Sequence, residues 1–320
     1  MRFTRRELLA SSSALLVRGQ GTAPVRELVN AFEFEAAAQR KLGAEAYQMI
    51  AGGDRAPFER MTFRPRLMVN TTRLDLTLDL FGESLFAPIL VGPVADQKRF
   101  HAEGELAMMR GAAAAKAVVV ISSRASYPIE EIVGQTKAST WYQVDAGPEM
   151  VARAQSAVKC GCKAVMLTLD GADWQAVDRL RDAVTVPLLL KGIMNPEEAK
   201  TALDHGVKGM VVSNYNGRSY NAAAPAITVL PEIVEALGGE APILIDGSFR
   251  RGSDILKALA LGAKGVLLGR PPLWGLAAYG ADGVQRVLEL LQTELARDMA
   301  MCGRPTLKSI DGTVVQLHRA

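Results

Sequence analysis

A chain of 320 residues that is 49% hydrophobic and 22% charged has the composition of an ordinary globular protein, long enough to bury a sizeable core. Its net charge of +3 is carried by the first twenty residues, where Arg2, Arg5, Arg6 and Arg18 stand against Glu7, so the rest is near neutral, which argues against a nucleic-acid surface or a polybasic membrane patch. Cys160, Cys162 and Cys302, like His101, His205 and His318, lack metal-ligand or thioredoxin-type spacing; the cysteines read as buried thiols and no metal site is expected.

The opening MRFTRRELLASSSALLVRG places Arg5-Arg6 after a basic start and before a short, serine-rich apolar run. That is the pattern of a twin-arginine export signal over residues 1–25, which implies a periplasmic or exported protein. The run is too short to span a bilayer as a helix. With no A-x-A-like cleavage site, the alternative is an amphipathic helix on a cytoplasmic protein. Residues 26–80, with the helical stretch VRELVNAFEFEAAAQRKLGAEAYQMIAGG and the turn Gly52-Gly53-Asp54, are expected to form an N-terminal helical cap.

From residue 88 to about 300 one theme recurs, a run of branched aliphatics followed by an amphipathic helical stretch. The runs are PILVGPV (88–94), AVVVISS (117–123), TWYQVD (140–145), AVMLTLD (164–170), PLLLKGI (187–193), GMVVSN (209–214), PILIDGS (242–248) and GVLLGR (265–270). Helices are expected at 102–116, 147–160, 173–183, 196–205, 228–237, 252–261 and 281–298. Near-continuous apolar strands alternating with helices indicate a parallel sheet covered on both faces. Eight such units favour a closed α/β architecture, the (β/α)8 TIM barrel, over an open doubly wound sheet, and no G-x-G-x-x-G follows the first strand. Without a linker or low-complexity tract, 26–320 reads as a single domain.

In such a barrel, chemistry gathers where strands end. Those ends carry Ser122 and Arg124, Gln143 and Asp145, Thr168 and Asp170, Lys191, then Asn214, Tyr215 and Arg218, Asp246 and Arg250, and Gly269-Arg270. Ser122, Thr168 or Asn214 taken alone fits a helix cap or loop hydrogen bond equally well. Lys191 does not, because a lysine inside PLLLKGI needs a polar or anionic partner. The segments DGSFRRG and LLGRPP lie where these barrels commonly bind phosphate through backbone N–H groups and an arginine.

The chain resembles the FMN-dependent α-hydroxy acid oxidases and dehydrogenases, a family that includes glycolate oxidase, lactate oxidase and mandelate dehydrogenase. The resemblance is densest in FHAEGELAMMRGA, SSRASYPIEEI, HGVKGMVVSN, ITVLPEIVEAL, LIDGSFRRGSDILKALALGAKGVLLGRP and WGLAAYG. It implies FMN held by the backbone at Pro93, Val94 and Ala95, by Ser122, Gln143, Thr168 and Lys191, and by Asp246, Gly247, Arg250, Gly269 and Arg270 around the phosphate. It also implies a small-molecule substrate, a carboxylate in the family, and a homotetramer; the electron acceptor is left open.

The catalytic set departs from the family. Where relatives read S-N-H-G-G/A-R, this chain keeps Ser213, Asn214 and Arg218 but puts Tyr215 in the histidine's place. A phenol with a reference pKa near 10 is a poor general base at neutral pH. A family tyrosine on the third strand is Asp145 here, and the long connection after the fourth strand, with its second carboxylate-binding arginine, is missing. Tyr47 is expected at the family's N-terminal active-site tyrosine, Asp170 at the aspartate that supports the lost histidine, and Arg124 at a position that varies with specificity, where it is placed to pair with Asp145 or to replace part of the lost arginine's role. These substitutions imply an FMN enzyme with altered substrate or chemistry, Asp145 being the more apt base, or weakened hydroxy-acid oxidation. A flavin-binding protein without turnover, or another phosphate-binding barrel such as a type 2 isopentenyl diphosphate isomerase, is the alternative.

Overall fold

The computed structural model describes residues 23–215 and 224–318. Most of the export-signal segment, and Arg218, therefore lie outside the described residues. Three helices come first, α1 (Ala31–Lys41), α2 (Ala44–Ile50) and α3 (Ala56–Glu59), followed by strand β1 (Met61–Phe63) and a hairpin of β2 (Leu78–Leu80) and β3 (Glu83–Leu85). Asn30 starts α1 by accepting the N–H groups of Phe32 and Glu33 on its side-chain oxygen, which satisfies two of the helix's free donors.

The barrel then runs β4 (Ile89–Val91), α4 (Gly104–Ala114), β5 (Val118–Ser122), α5 (Ile129–Val133), β6 (Thr140–Asp145), α6 (Met150–Lys159), β7 (Val165–Thr168), α7 (Trp174–Ala183), β8 (Leu188–Ile193) and α8 (Pro196–Asp204). It closes with β9 (Gly209–Val212), α9 (Ala226–Leu237), β10 (Ile243–Asp246), α10 (Gly252–Ala260), β11 (Gly265–Leu268) and the long α11 (Arg270–Met301), after which β12 (Val315–Leu317) ends the chain's regular structure. Strands β4 to β11 form a closed parallel barrel in which β11 returns to pair with β4. All eight expected runs are barrel strands.

Alternation along each strand splits the apolar residues into two cores. Leu90, Val118, Val120, Trp141, Met166, Leu189, Val211, Leu244 and Leu267 fill the barrel interior, a packed core and not a pore. Leu78, Leu80 and Leu85 of the β2–β3 hairpin plug one end of it, where Phe81 lies 5.6 Å from Trp141. The intervening residues face outward against the helices. The helix expected from 281 begins just past a kink at Gly280, whose positive φ of 63° glycine adopts without penalty, and a first helical stretch from Arg270 precedes it within α11. Both cap and tail join through β1 and β12, which pair antiparallel with Thr62 opposite Gln316. Cys162 and Cys302 are buried as expected, whereas Cys160 is only half-buried; it sits at the end of α6, facing Glu130 and Ser156.

Candidate functional site

A cleft of about 580 Å³ opens where the barrel strands end, within the size range of cofactor and ligand sites. Its walls bring together Pro93, Val94, Ala95, Ser122, Arg124, Gln143, Asp145, Thr168, Asp170, Lys191, Tyr215, Asp246, Gly247, Arg250, Gly269 and Arg270. Every strand-end residue singled out for cofactor binding therefore reaches one cavity.

Charge is arranged in this cleft in three blocks. At one end, Arg250 and Arg270, both more than nine-tenths buried, point their guanidinium groups at the same carbonyl, that of Gly52, which Arg250 Nη2 reaches at 2.8 Å. Arg250 also stacks over the Trp274 ring at 4.5 Å. Gly53 leaves room for this, since a Cβ there would meet the Arg270 guanidinium at 2.6 Å. Burial, and next the neighbouring Arg270, pulls Arg250 down to about 9. Two cations crowded on one carbonyl are costly, and an anion lying between them would offset that cost. The first turn of α11 begins here at Gly269, with no side-chain cap and with open space where a Cβ would stand. A helix N-terminus, glycine and two arginines form an anion cradle. Asp254, 1% exposed, shapes it by accepting the N–H groups of Arg250 and Arg251 and the Arg55 guanidinium at 2.7 Å.

In the middle, Lys191 finds the partner its place in an apolar run demanded. Its ammonium lies 2.7 Å from Asp246 Oδ2 and donates to Ser213 Oγ at 2.7 Å. Asp246 Oδ1, by contrast, is shut off from solvent and takes no hydrogen bond from a described residue, an acceptor left open for a donor in the cleft.

The third block is a polar relay along β5, β6 and β7. Ser122 Oγ donates to Gln143 Oε1 at 3.1 Å, and Gln143 Nε2 donates to Thr168 Oγ1 at 2.6 Å and to Asp145 Oδ1 at 2.8 Å. Asp145 Oδ2 in turn pairs with Arg124 at 3.0 Å, an arginine whose side chain is 70% exposed.

Tyr215 occupies the floor beside Lys191 in a left-handed conformation, φ 50°. Its hydroxyl donates to the Lys191 carbonyl at 2.8 Å and accepts the Leu169 N–H at 3.1 Å. No side-chain bond to Asp170 forms, contrary to what a purely supporting aspartate would provide. Burial above all, with Asp170 and Asp246 nearby, raises Tyr215 above an ordinary phenol. Its ring lies 4.8 Å from the Lys191 ammonium. Gly192, with φ 116°, makes the space, for a Cβ there would collide with the Tyr215 hydroxyl.

Three placements differ from expectation. Tyr47 is not on the cleft wall; Met49, two residues further along α2, is. Tyr47 instead packs against the core, where burial and Glu35 raise it. Asp96 and Arg99 also line the cleft, paired with each other at a turn where Asp96 takes φ 51°. Their signal was a charged pair three residues apart just past the first barrel strand.

A barrel of this kind with an anion cradle at the ends of β10 and β11 defines an enzyme built around a phosphate-bearing cofactor. The profile of the FMN-dependent dehydrogenase family matches residues 40–173 and 171–317, and the chain belongs to that family. Among its relatives are a peroxisomal (S)-2-hydroxyacid oxidase of Arabidopsis thaliana, 32% identical over 89% of this chain and 95% of that one, and an L-lactate oxidase of Nostoc sp., 34% identical over 90% of this chain and 98% of that one. A mandelate oxidase crystal structure superposes with a TM-score of 0.88 at 33% identity, covering 91% of this chain and all of that one. The chain is thus an FMN-dependent oxidoreductase of the class that acts on CH–OH donors. The two matched stretches meet at 171–173, on the short connection between β7 and α7.

Proposed function

We propose that this protein oxidises a CH–OH donor that carries a carboxylate, using a proton acceptor other than residue 215. The residues present fit FMN: the open Asp246 Oδ1 suits a polyol hydroxyl, and the Arg250–Arg270 cradle with Gly247 and Gly269 suits the phosphate. Ser122, Gln143 and Thr168, with the backbone at Pro93 to Ala95, would hold the ring edge, and Lys191 would set a cation beside it. When bound, FMN supplies the two-electron acceptor that takes a hydride from carbon.

The observation that carries altered chemistry is the Tyr215 hydroxyl, whose proton is spent on the Lys191 carbonyl and whose lone pair faces the Leu169 N–H. Such a group is a strut between β7 and β8, poorly suited to pick up a proton. Arg124 is suited to a substrate carboxylate. Its pairing with Asp145 runs through Nε at 3.0 Å and is exposed, worth about 0–1 kcal/mol, so an incoming carboxylate can share the guanidinium with Asp145. The family resemblance assigns Arg218, outside the described residues, to the same carboxylate. The short 169–173 connection, five residues where the family match breaks, leaves room for a larger donor.

The test is an anaerobic reduction screen on FMN-loaded protein with glycolate, L-lactate and (S)-mandelate, then with larger alcohols and amines. Bleaching by a hydroxy acid supports this function. Bleaching by none of them while the flavin stays bound favours the second reading, a flavin-binding protein without turnover, for which the immobilised Tyr215 is the specific support. Arg5-Arg6 also supports twin-arginine export, tested by fractionating cells that express the full chain; flavin in the cytoplasmic fraction alone would refute it. Assembly as a homotetramer rests on the family resemblance and is tested by light scattering.

A further inference from the structure

On the premise of hydroxy-acid oxidation proposed above, we infer that Asp170 is the catalytic residue that accepts the substrate hydroxyl proton. The cleft wall contains no histidine or cysteine, so among the described residues the acceptor is a carboxylate, the Lys191 amine or the Tyr215 phenol. Lys191 is held by Asp246 and Ser213. Tyr215 donates its hydroxyl hydrogen to the Lys191 carbonyl and accepts the Leu169 N–H just past β7.

Among the described residues four carboxylates line the cleft: Asp96, Asp145, Asp170 and Asp246. Asp96 is tied to Arg99 and accepts Ser126 Oγ at 3.3 Å. Asp145 is engaged through both oxygens, by Gln143 at 2.8 Å and Arg124 at 3.0 Å. Asp246 Oδ2 holds Lys191 at 2.7 Å, and its Oδ1 is closed to solvent. Asp170 is exposed, and no side chain among the described residues donates to it. It stands at the C-terminal end of β7, one residue beyond Leu169, whose N–H meets the Tyr215 hydroxyl, so it flanks the very position from which relatives present a histidine. The turn continues through Gly171, φ 74°, and Asp173, which caps α7 by accepting the Ala176 N–H at 2.7 Å. That turn fixes the backbone of Asp170 while leaving its carboxylate unengaged.

The step balances as follows. The substrate O–H bond breaks and its proton passes to a carboxylate oxygen of Asp170; the carbinol C–H pair leaves as hydride to FMN, and the C=O double bond forms. The protonated carboxyl, being solvent-exposed, returns its proton to water.

The experiment compares wild-type, Asp170→Asn, Asp170→Ala and Asp145→Asn proteins loaded with FMN. Three readouts are taken: FMN content, oxalate affinity from the shift of the flavin spectrum, and the anaerobic rate of flavin reduction by glycolate, L-lactate and (S)-mandelate. FMN content is expected to hold in both Asp170 variants. Oxalate should bind Asp170→Asn more tightly, because a like charge beside the site is gone. Reduction should fall about 10²–10⁴-fold, the usual contribution of a placed general base, and added formate should restore part of it in Asp170→Ala, which a merely structural role would not allow. Unchanged oxalate affinity, or a rate within threefold of wild type on the order of measurement scatter, overturns the role of Asp170; a large loss in Asp145→Asn alone transfers it to Asp145. A wild-type protein whose flavin none of the three acids reduces overturns the oxidation premise itself, a result distinct from either.

Discussion

Replacing Tyr215 with phenylalanine deletes one hydroxyl and leaves the ring in place over Lys191. Two hydrogen bonds go, one to the Lys191 carbonyl at 2.8 Å and one from the Leu169 N–H at 3.1 Å. These backbone groups are also bonded to each other, Leu169 N–H to Lys191 O at 2.9 Å, so neither is stranded by the change. With no orphaned partner the loss is that of about one net hydrogen bond, ~1 kcal/mol. For a chain of this length, that is a fall of about 2–3 °C in Tm. Were the hydroxyl a general base, the flavin reduction rate would instead fall about 10²–10⁴-fold, equivalent to about 3–5 kcal/mol of barrier. Thermal unfolding and anaerobic stopped-flow at the flavin band, on the same FMN-loaded variant, separate the two. A small drop in Tm with the reduction rate kept is the expected result. A hundredfold slower reduction at full FMN content, on the order of what a lost base produces, would refute the strut.

Other perturbations reach the same elements. Gly192→Ala puts a Cβ onto the Tyr215 hydroxyl at a residue with φ 116°, and should cost about 1–3 kcal/mol; thermal melts should show part of it recovered in the double variant with Tyr215→Ala. Arg250→Ala removes one of two guanidiniums from the cradle and should leave purified protein largely colourless, read as flavin absorbance per chain, while a normal FMN content would show that the phosphate lies elsewhere. Stripping FMN leaves Arg250 and Arg270 facing each other, so inorganic phosphate should raise the apoprotein's Tm, by an amount equivalent to ~2.7 kcal/mol at a hundred times its dissociation constant; Arg250→Ala should abolish that response.

The barrel was legible because its strands, three to six residues long, are buried on both faces and so are mostly apolar, a signal local to the strand. Elements whose reason is distant were not legible. Strands β1 and β12 have three residues each and acquire their structure only by finding one another. The exchange of Tyr47 for Met49 on the cleft wall has a simple geometric cause. Residues two apart on a helix are turned by about 200°, so a seven-residue helix cannot be phased from its sequence when either choice is a large side chain. Tyr215 was readable as an anomaly, a phenol in a histidine's place. Its actual bonds depend on a glycine in the preceding strand's terminus, and only the folded geometry brings Gly192 under its hydroxyl. The Arg124–Asp145 pair was legible, because both residues stand at the ends of neighbouring strands; that Gln143 holds the other Asp145 oxygen was not, since it depends on the twist of β6.

The pairing of β1 with β12 has a consequence for when the protein can first hold its cofactor. The Gly52 carbonyl that braces Arg250 and Arg270 belongs to the cap, which is held by Arg55 on Asp254, by the Trp274 indole on the Ile50 carbonyl and, last in chain order, by the pairing of Met61 with Leu317. During synthesis at about 5–20 residues per second, the cap emerges early and must wait on the order of tens of seconds for the segment that anchors it. The phosphate cradle is therefore among the last parts of the molecule to be completed. Flavin capture then becomes a report on finished chains, one that a truncated product lacking its final strand would fail to give.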